Sequence, residues 1–184
     1  MMPATARQPV PVILALANAA RPRRDAADPA DLFTTPERAA AFLQALGGRV
    51  PVDDADRRAC AQLAVEVSEL ASAVARHESP PEPTFINALA AQARGYRRLR
   101  RAPGGVEVDM RWDAPTAASD LARRVIEEWA HLDPARLREC ARPACALVFY
   151  DTTRSNTQRW HAEDPCGWLE RQARHRAKSH PSSI

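Results

Sequence analysis

The chain has 184 residues, 26 Lys and Arg against 23 Asp and Glu for a net charge of +3, and 45% hydrophobic residues, enough for a packed core. Only 6 Gly and 5% aromatic residues argue against a Gly-rich cofactor-binding fold and leave Ala, Leu and Val to fill the interior. These totals exclude collagen-like, membrane-spanning and disulfide-scaffold classes.

The apolar run from Pro11 to Asn18 is far shorter than the roughly 18 residues a membrane span needs. Arg21, Arg23 and Arg24 follow it, whereas a secretory signal would place its positive charges first. The expectation is a cytoplasmic protein with no membrane partner. Thiols stay reduced there, so four cysteines suggest metal binding or simple burial.

Residues 1–11 read as an irregular, Pro-rich lead-in, and Val12 to Leu16 as either a short strand or the first turns of a helix. Arg21 to Ala30 reads as a loop. Thr34-Thr-Pro-Glu37 reads as a helix start, with Thr as cap, Pro36 in the first turn and Glu37 reaching back. Ala39, Phe42, Leu43 and Leu46 form its apolar face, and Gly47-Gly48 ends it. Asp53 and Asp54 open the longest helix, to about Arg76, whose stripe Cys60, Leu63, Val67, Leu70 and Val74 makes Cys60 a buried structural thiol. After Ser79-Pro-Pro-Glu-Pro83, a helix from Thr84 to about Arg94 turns Phe85, Ile86 and Leu89 inward. The period then becomes two: Tyr96–Arg101 and Val106–Trp112 flank Ala102-Pro-Gly-Gly105 as a half-buried β-hairpin. Its four arginines read as a charged, solvated face ahead of a nucleic-acid contact. Ser119 caps a helix carrying Leu121, Val125, Trp129 and Leu132 on one side, and Asp133-Pro134 starts a short helix ending near Cys140.

The chemistry is concentrated in the last quarter. Cys140 and Cys145 are separated by four residues, as are His161 and Cys166, with fifteen residues between the pairs. Tetrahedral Zn²⁺ takes four thiolate or imidazole ligands, usually as two short-spaced pairs, and a Val148-Phe149-Tyr150 hairpin could return the chain to the metal. The alternative is that Cys145 and Cys166 are small core residues and His161 a surface imidazole. A closed Cys₃His set leaves no open coordination position, and closed sites fold proteins rather than catalyse. Nothing else reads as an enzyme: no Ser-His-Asp motif, no phosphate-cradling Gly loop, no Glu spaced as a base beside the ligand pairs.

Cys140, Cys145, Phe149, Asp151, Thr153, Arg154, Trp160, Cys166 and Gly167 resemble the signature of the CGNR zinc-finger proteins, whose N-terminal part is the ABATE domain. An apolar start ending in Asn18, the Ile86-Asn-Ala-Leu89 segment and the hairpin follow the family's order more loosely. The resemblance implies an α+β, mostly helical fold. It has a helix-rich N-terminal domain with a β-hairpin over 1–134 and a small treble-clef-like zinc finger over 135–180. It also implies stress-induced transcription regulation through a DNA-binding finger; the expectation for the N-terminal domain is that it senses a ligand or mediates assembly. Two departures stand out. His161 replaces the third metal cysteine, and Trp168-Leu169 replaces the Asn-Arg of the signature with side chains suited to a protein partner.

From Arg136 to Lys178, nine basic face five acidic side chains, a net +4 that exceeds the charge of the whole chain. The candidate nucleic-acid contacts are Arg154, Arg159, Arg171, Arg174 and Lys178, the last two sharing a helix face. The competing reading is a solvated helix whose arginines suit its own dipole. The candidate ligands for Zn²⁺ are Cys140, Cys145, His161 and Cys166. A zinc-stabilised protein-interaction module that does not bind DNA is the alternative function.

Overall fold

The structure, a computed structural model, describes residues 11–19 and 32–179, with side chains through Arg176. The expected lead-in (Pro11 apart) and the loop over 21–30 lie outside the described residues. The architecture is α+β and mostly helical, with six helices and two small two-stranded sheets among the described residues.

Val12 to Leu16 resolves to a helix, α1 (Val12–Ala19), whose Val12, Ile13, Leu16 and Ala17 are buried against α3 (Asp54–Ala75) and α5 (Ala117–Trp129). Helix α2 (Pro36–Ala45) begins at Thr35, whose side chain accepts from the Arg38 amide. Glu37 is therefore one position too early to close a capping box. The helix ends in a Schellman motif: Gly47 takes φ +63°, and the amides of Gly47 and Gly48 return to the carbonyls of Gln44 and Leu43. Helix α3 carries the expected stripe, with Cys60, Leu63 and Val67 fully buried. It ends in the same way, with His77 in the left-handed position that Gly holds after α2.

Three boundaries differ from the sequence expectation. Helix α4 (Thr84–Ala90) stops four residues short, because Arg94 already begins strand β1. Helix α5 is capped by Thr116, not Ser119; Ser119 is the third helical residue and closes a capping box back onto Thr116. The segment after Asp133 is a single 3-10 turn, Pro134–Arg136, and not a helix to Cys140. Leu137 then leaves it to pair in a sheet and bury completely.

Three carboxylates from distant parts of the chain tie the helices together by capping another helix's free amides. Asp56, buried in α3, accepts from Ala117 and Ala118 at the start of α5 (2.9 and 3.0 Å) and from Val52. Glu66 accepts from Phe85 and Ile86 of α4, and Glu128 from Val12 and Ile13 of α1 (2.9 and 3.0 Å).

Strands β1 (Arg94–Ala102) and β2 (Gly105–Asp113) form the expected hairpin, with Leu99 opposite Val108 and a Pro103-Gly104 turn in which Gly104 takes φ +89°. The expected half-burial does not occur. One face carries the Arg98–Asp109 and Arg100–Glu107 ion pairs, while the other presents Leu99, Val106, Val108 and Met110 interleaved with Arg97 and Arg101, all exposed. Strand alternation separates the two faces, but no described helix covers this second one. The anchor is at the base, where the Trp112 ring lies over Gly95 and under the Arg123 guanidinium, 4.8 Å from the ring centroid.

Candidate metal centre

Strand β3 (Leu137–Glu139) pairs antiparallel with β4 (Val148–Tyr150), so the Val148–Tyr150 run partners the strand before the first cysteine. The residues between them fold as a knuckle. The Cys140 amide donates to the Leu147 carbonyl at 2.8 Å, the Cys145 amide to Arg142 at 2.9 Å, and Ala146 takes a left-handed φ of 52° to turn the chain back. The knuckle is fixed to the helical core by Asn18, whose amide group brackets Val148, donating to its carbonyl and accepting from its N–H (2.8 and 2.9 Å). Along β4, Val148 enters the main core, while Phe149 packs with Cys140 and Cys166.

The second half of the site is positioned by Asp151. Its carboxylate is fully buried and accepts from the Thr153 amide and hydroxyl (2.8 and 2.6 Å) and the Gln158 amide (2.8 Å). Arg136 donates to the Asp151 and Thr153 carbonyls from the other side. Burial alone would raise the Asp151 pKa, but the Thr153 hydroxyl, the Gln158 and Thr153 amides and the Arg136 charge outweigh it and hold the carboxyl below its usual range. The loop closed in this way brings the Arg159 carbonyl to the Ala141 amide at 2.8 Å, and so delivers His161 to the knuckle. Its Nδ1 lies 3.3 Å from the Cys145 Sγ. A wide turn over Glu163–Gly167, with Asp164 extended, then places Cys166, 1% exposed, immediately before helix α6 (Trp168–Ser179). Knuckle, returning loop and ligand-bearing helix start give a treble-clef-like order.

The four sequence candidates Cys140, Cys145, His161 and Cys166 are thus brought together: their ligand atoms all lie within 4.8 Å of one another. Tetrahedral coordination at a Zn–S distance of ~2.3 Å would set sulfurs about 3.8 Å apart, so the set needs only small inward adjustments to hold an ion. Burial pushes the Cys145 thiol up to about 12, with the neighbouring Cys140 charge adding to it, and burial also raises Cys166. A divalent cation offsets the charge that otherwise keeps such buried thiols protonated. Three soft sulfurs and one imidazole fit zinc's ligand preferences, and the Arg142 side chain hydrogen-bonds to Cys166, which favours its thiolate.

Cys60 lies apart on α3, fully buried, its thiol raised to about 12 by burial and then by the charge of Asp56. The candidate arginines surround the finger. Arg154 and Arg174 are exposed, and Arg159 is exposed with its guanidinium 5.4 Å from the Trp160 ring centroid. Arg171 stacks on the same ring at 6.0 Å and forms an ion pair with Glu163 across the ligand turn, so part of its charge is spent within the finger. Lys178 is in α6, its side chain outside the described residues. Trp168 is 49% exposed at the helix start. Asp151 and Arg136, which fold the loop between the ligand pairs, carry no role in the sequence reading beyond the motif match at Asp151; their signal was a carboxylate two residues before a Thr and an Arg fifteen residues upstream.

Comparison with known families decides the kinship. Residues 136–179 match the CGNR zinc finger, and residues 11–148 match the ABATE family, described as "Putative stress-induced transcription regulator". The chain belongs to the ABATE family. The two matches meet on the β3–β4 ribbon, which serves both the helical core and the cysteine cluster. Neither family description names an enzymatic activity, and no curated protein matches the chain. The signature residues now have structural work: in this ABATE-family chain Asn18 clamps β4, Phe149 covers the cysteines, and Asp151 folds the loop that carries His161. Among the described residues no helix is long and apolar enough to cross a membrane.

Proposed function

We propose that this chain is a cytoplasmic transcription regulator with a helical input domain over 1–134 and a DNA-binding finger over 135–180. The finger holds one Zn²⁺ on the sulfurs of Cys140, Cys145 and Cys166 and on Nδ1 of His161. The bound ion supplies a rigid cross-link between the knuckle and the start of α6, not a reactive centre. Arg154, Arg159 and Arg174, with Arg171 and Lys178 on the same helix, track phosphates of duplex DNA. The observation that carries the reading is the convergence of four soft donors immediately before a helix whose exposed residues include Arg171, Arg174 and Arg176. The N-terminal domain senses a ligand or mediates assembly.

The test is a gel-shift titration of the zinc-loaded protein against duplex DNA at two salt concentrations. About four phosphate contacts give a log–log slope near −3.6, so affinity falls about 150-fold between ~50 and ~200 mM salt. The Arg174→Ala variant flattens the slope by about one contact, and Arg171→Ala by less, because Glu163 already engages that guanidinium. Binding that is absent at low salt, or insensitive to salt, removes the DNA reading. The exposed Trp168 supports the rival, a zinc-held protein-interaction module, which predicts that outcome with the metal still bound.

A further inference from the structure

One face of the β1–β2 hairpin is left bare by the helical domain. Strand alternation sets Arg97, Leu99 and Arg101 on that face of β1, with Met110, Val108 and Val106 directly opposite on β2. Leu99 is 74% exposed, Val106 69% and Val108 66%, and Trp112 continues the row at the base. Among the described residues the two strands pair only with each other. A two-stranded ribbon is marginal in water, and an apolar sheet face gains stability when a second layer packs on it.

Charge is divided unequally between the two faces. All three acids of the hairpin, Glu107, Asp109 and Asp113, lie on the other face, where Arg98 and Arg100 pair with Asp109 and Glu107. The apolar face has no acid. Its Arg97 and Arg101 are exposed and have no hydrogen bond or ion pair among the described residues. Leu99 and Val108 therefore sit between two unpaired cations, carried four residues apart on one strand and so about 13 Å from each other along it.

These features discriminate among second layers. A second copy of the hairpin, laid face to face, would gather four unpaired arginines with no acid between them, and like charges repel. Duplex DNA would meet the arginines but would set phosphates against Leu99, Val108 and Met110, whose burial needs an apolar surface. A strand added at either edge would leave the face as bare as before. An amphipathic helix with acids bordering its apolar stripe satisfies both demands. At a rise of 1.5 Å per residue, carboxylates about eight residues apart span ~12 Å and reach both arginines, with leucine-like side chains between them on the same helix face.

We propose that this face of the hairpin docks an acidic amphipathic helix of another protein, its carboxylates on Arg97 and Arg101 and its apolar stripe on Leu99, Val106, Val108 and Met110. Nine residues per strand give a ribbon face of roughly 30 by 10 Å, about 300 Å² a side, so the contact belongs to the weak, reversible class. The surface uses no residue of the finger and stands independently of the DNA reading.

The experiment is fluorescence anisotropy on the full zinc-loaded chain with a designed helical peptide of about 18 residues, carrying a leucine stripe and two Glu eight positions apart, and bearing a neutral dye. A second peptide has Lys in place of both Glu. The acidic peptide is expected to bind with a Kd below ~100 μM, and the basic one at least ~10-fold more weakly. The double variant Arg97→Glu/Arg101→Glu is expected to reverse that preference, which also shows that it is folded. Leu99→Thr/Val108→Thr keeps strand-forming side chains and is expected to weaken the acidic peptide by ~10-fold. No binding of the acidic peptide up to ~1 mM, equal binding of the two peptides, or an unreversed preference in the double variant each overturns the proposal. So does displacement of the peptide by duplex DNA, which gives the face to nucleic acid. A wild-type dimer in sedimentation that Leu99→Thr/Val108→Thr dissolves gives it to a second copy, and overturns the proposal as well.

Discussion

Replacing Asp56 by Ala removes a buried carboxylate that caps α5 from within α3, and the cost can be worked from its partners. Ala117 and Ala118 are buried, so each loses its acceptor with no water to replace it; an orphaned buried amide costs ~1–3 kcal/mol. The Val52 amide sits on an exposed residue and can turn to solvent, so it adds little. Loss of a negative charge at the α5 N-terminus adds ~0.3–1 kcal/mol. The sum is about 4 kcal/mol, a large part of the ~5–15 kcal/mol that holds a domain of this size. Asp53→Ala is the matched control: an acceptor for one amide at the start of α3, on an exposed residue, worth ~1 kcal/mol. Urea unfolding followed by far-UV circular dichroism measures both. The midpoint of Asp56→Ala should fall several times further than that of Asp53→Ala, and Asp56→Asn, which keeps one acceptor oxygen, should lie between them. Equal losses in Asp56→Ala and Asp53→Ala would refute the idea that burial of the α5 amides sets the cost.

Other expectations bear on the finger and the hairpin. Asp151 is held below its ordinary pKa in the folded chain, so its stabilising contribution is complete above the usual carboxylate range and is lost as pH falls through its depressed folded value. The stability gap between wild type and Asp151→Asn should therefore be constant near neutral pH and close below about pH 4, and a gap unchanged at acid pH would contradict the charged role. Cys60→Ala should leave metal content unaltered, whereas Cys140→Ser should lose metal and loosen 136–178 while the helical domain still unfolds cooperatively; metal analysis and hydrogen exchange report the two effects. Gly95→Ala puts a methyl 2.6–2.9 Å from the Trp112 ring and should displace it from Arg123, seen as a red shift in tryptophan fluorescence. An unshifted spectrum would mean that the ring is not seated on Gly95.

The parts legible in the sequence are those encoded by short-range pattern. The stripe through Cys60, Leu63 and Val67, the Gly47 helix stop and the two four-residue ligand spacings each lie within one or two turns of chain, and each formed as read. What the pattern could not hold was partnership over distance. Asp56, Glu66 and Glu128 look like solvated charges on helix faces, and only the fold brings them to amides 61, 19 and 116 residues away. The Asp133-Pro134 signal opens a turn in either case. What ended it was Leu137, drawn into the core and paired with β4, a tertiary preference overriding a stretch that favours helix. Period two in the second run of the hairpin puts Val106, Val108, Met110 and Trp112 on one face of the strand, yet it carries no information about whether anything packs there.

The central claim is a single zinc ion bound by three sulfurs and one imidazole nitrogen, and X-ray absorption at the zinc edge on protein purified without added metal tests it most directly. The account predicts about one zinc per chain, with three sulfur neighbours near 2.3 Å and one nitrogen near 2.0 Å, falling to two sulfurs in Cys166→Ser if any metal is retained. Protein that is folded over 136–178 yet free of metal, or a zinc shell dominated by oxygen, would contradict it.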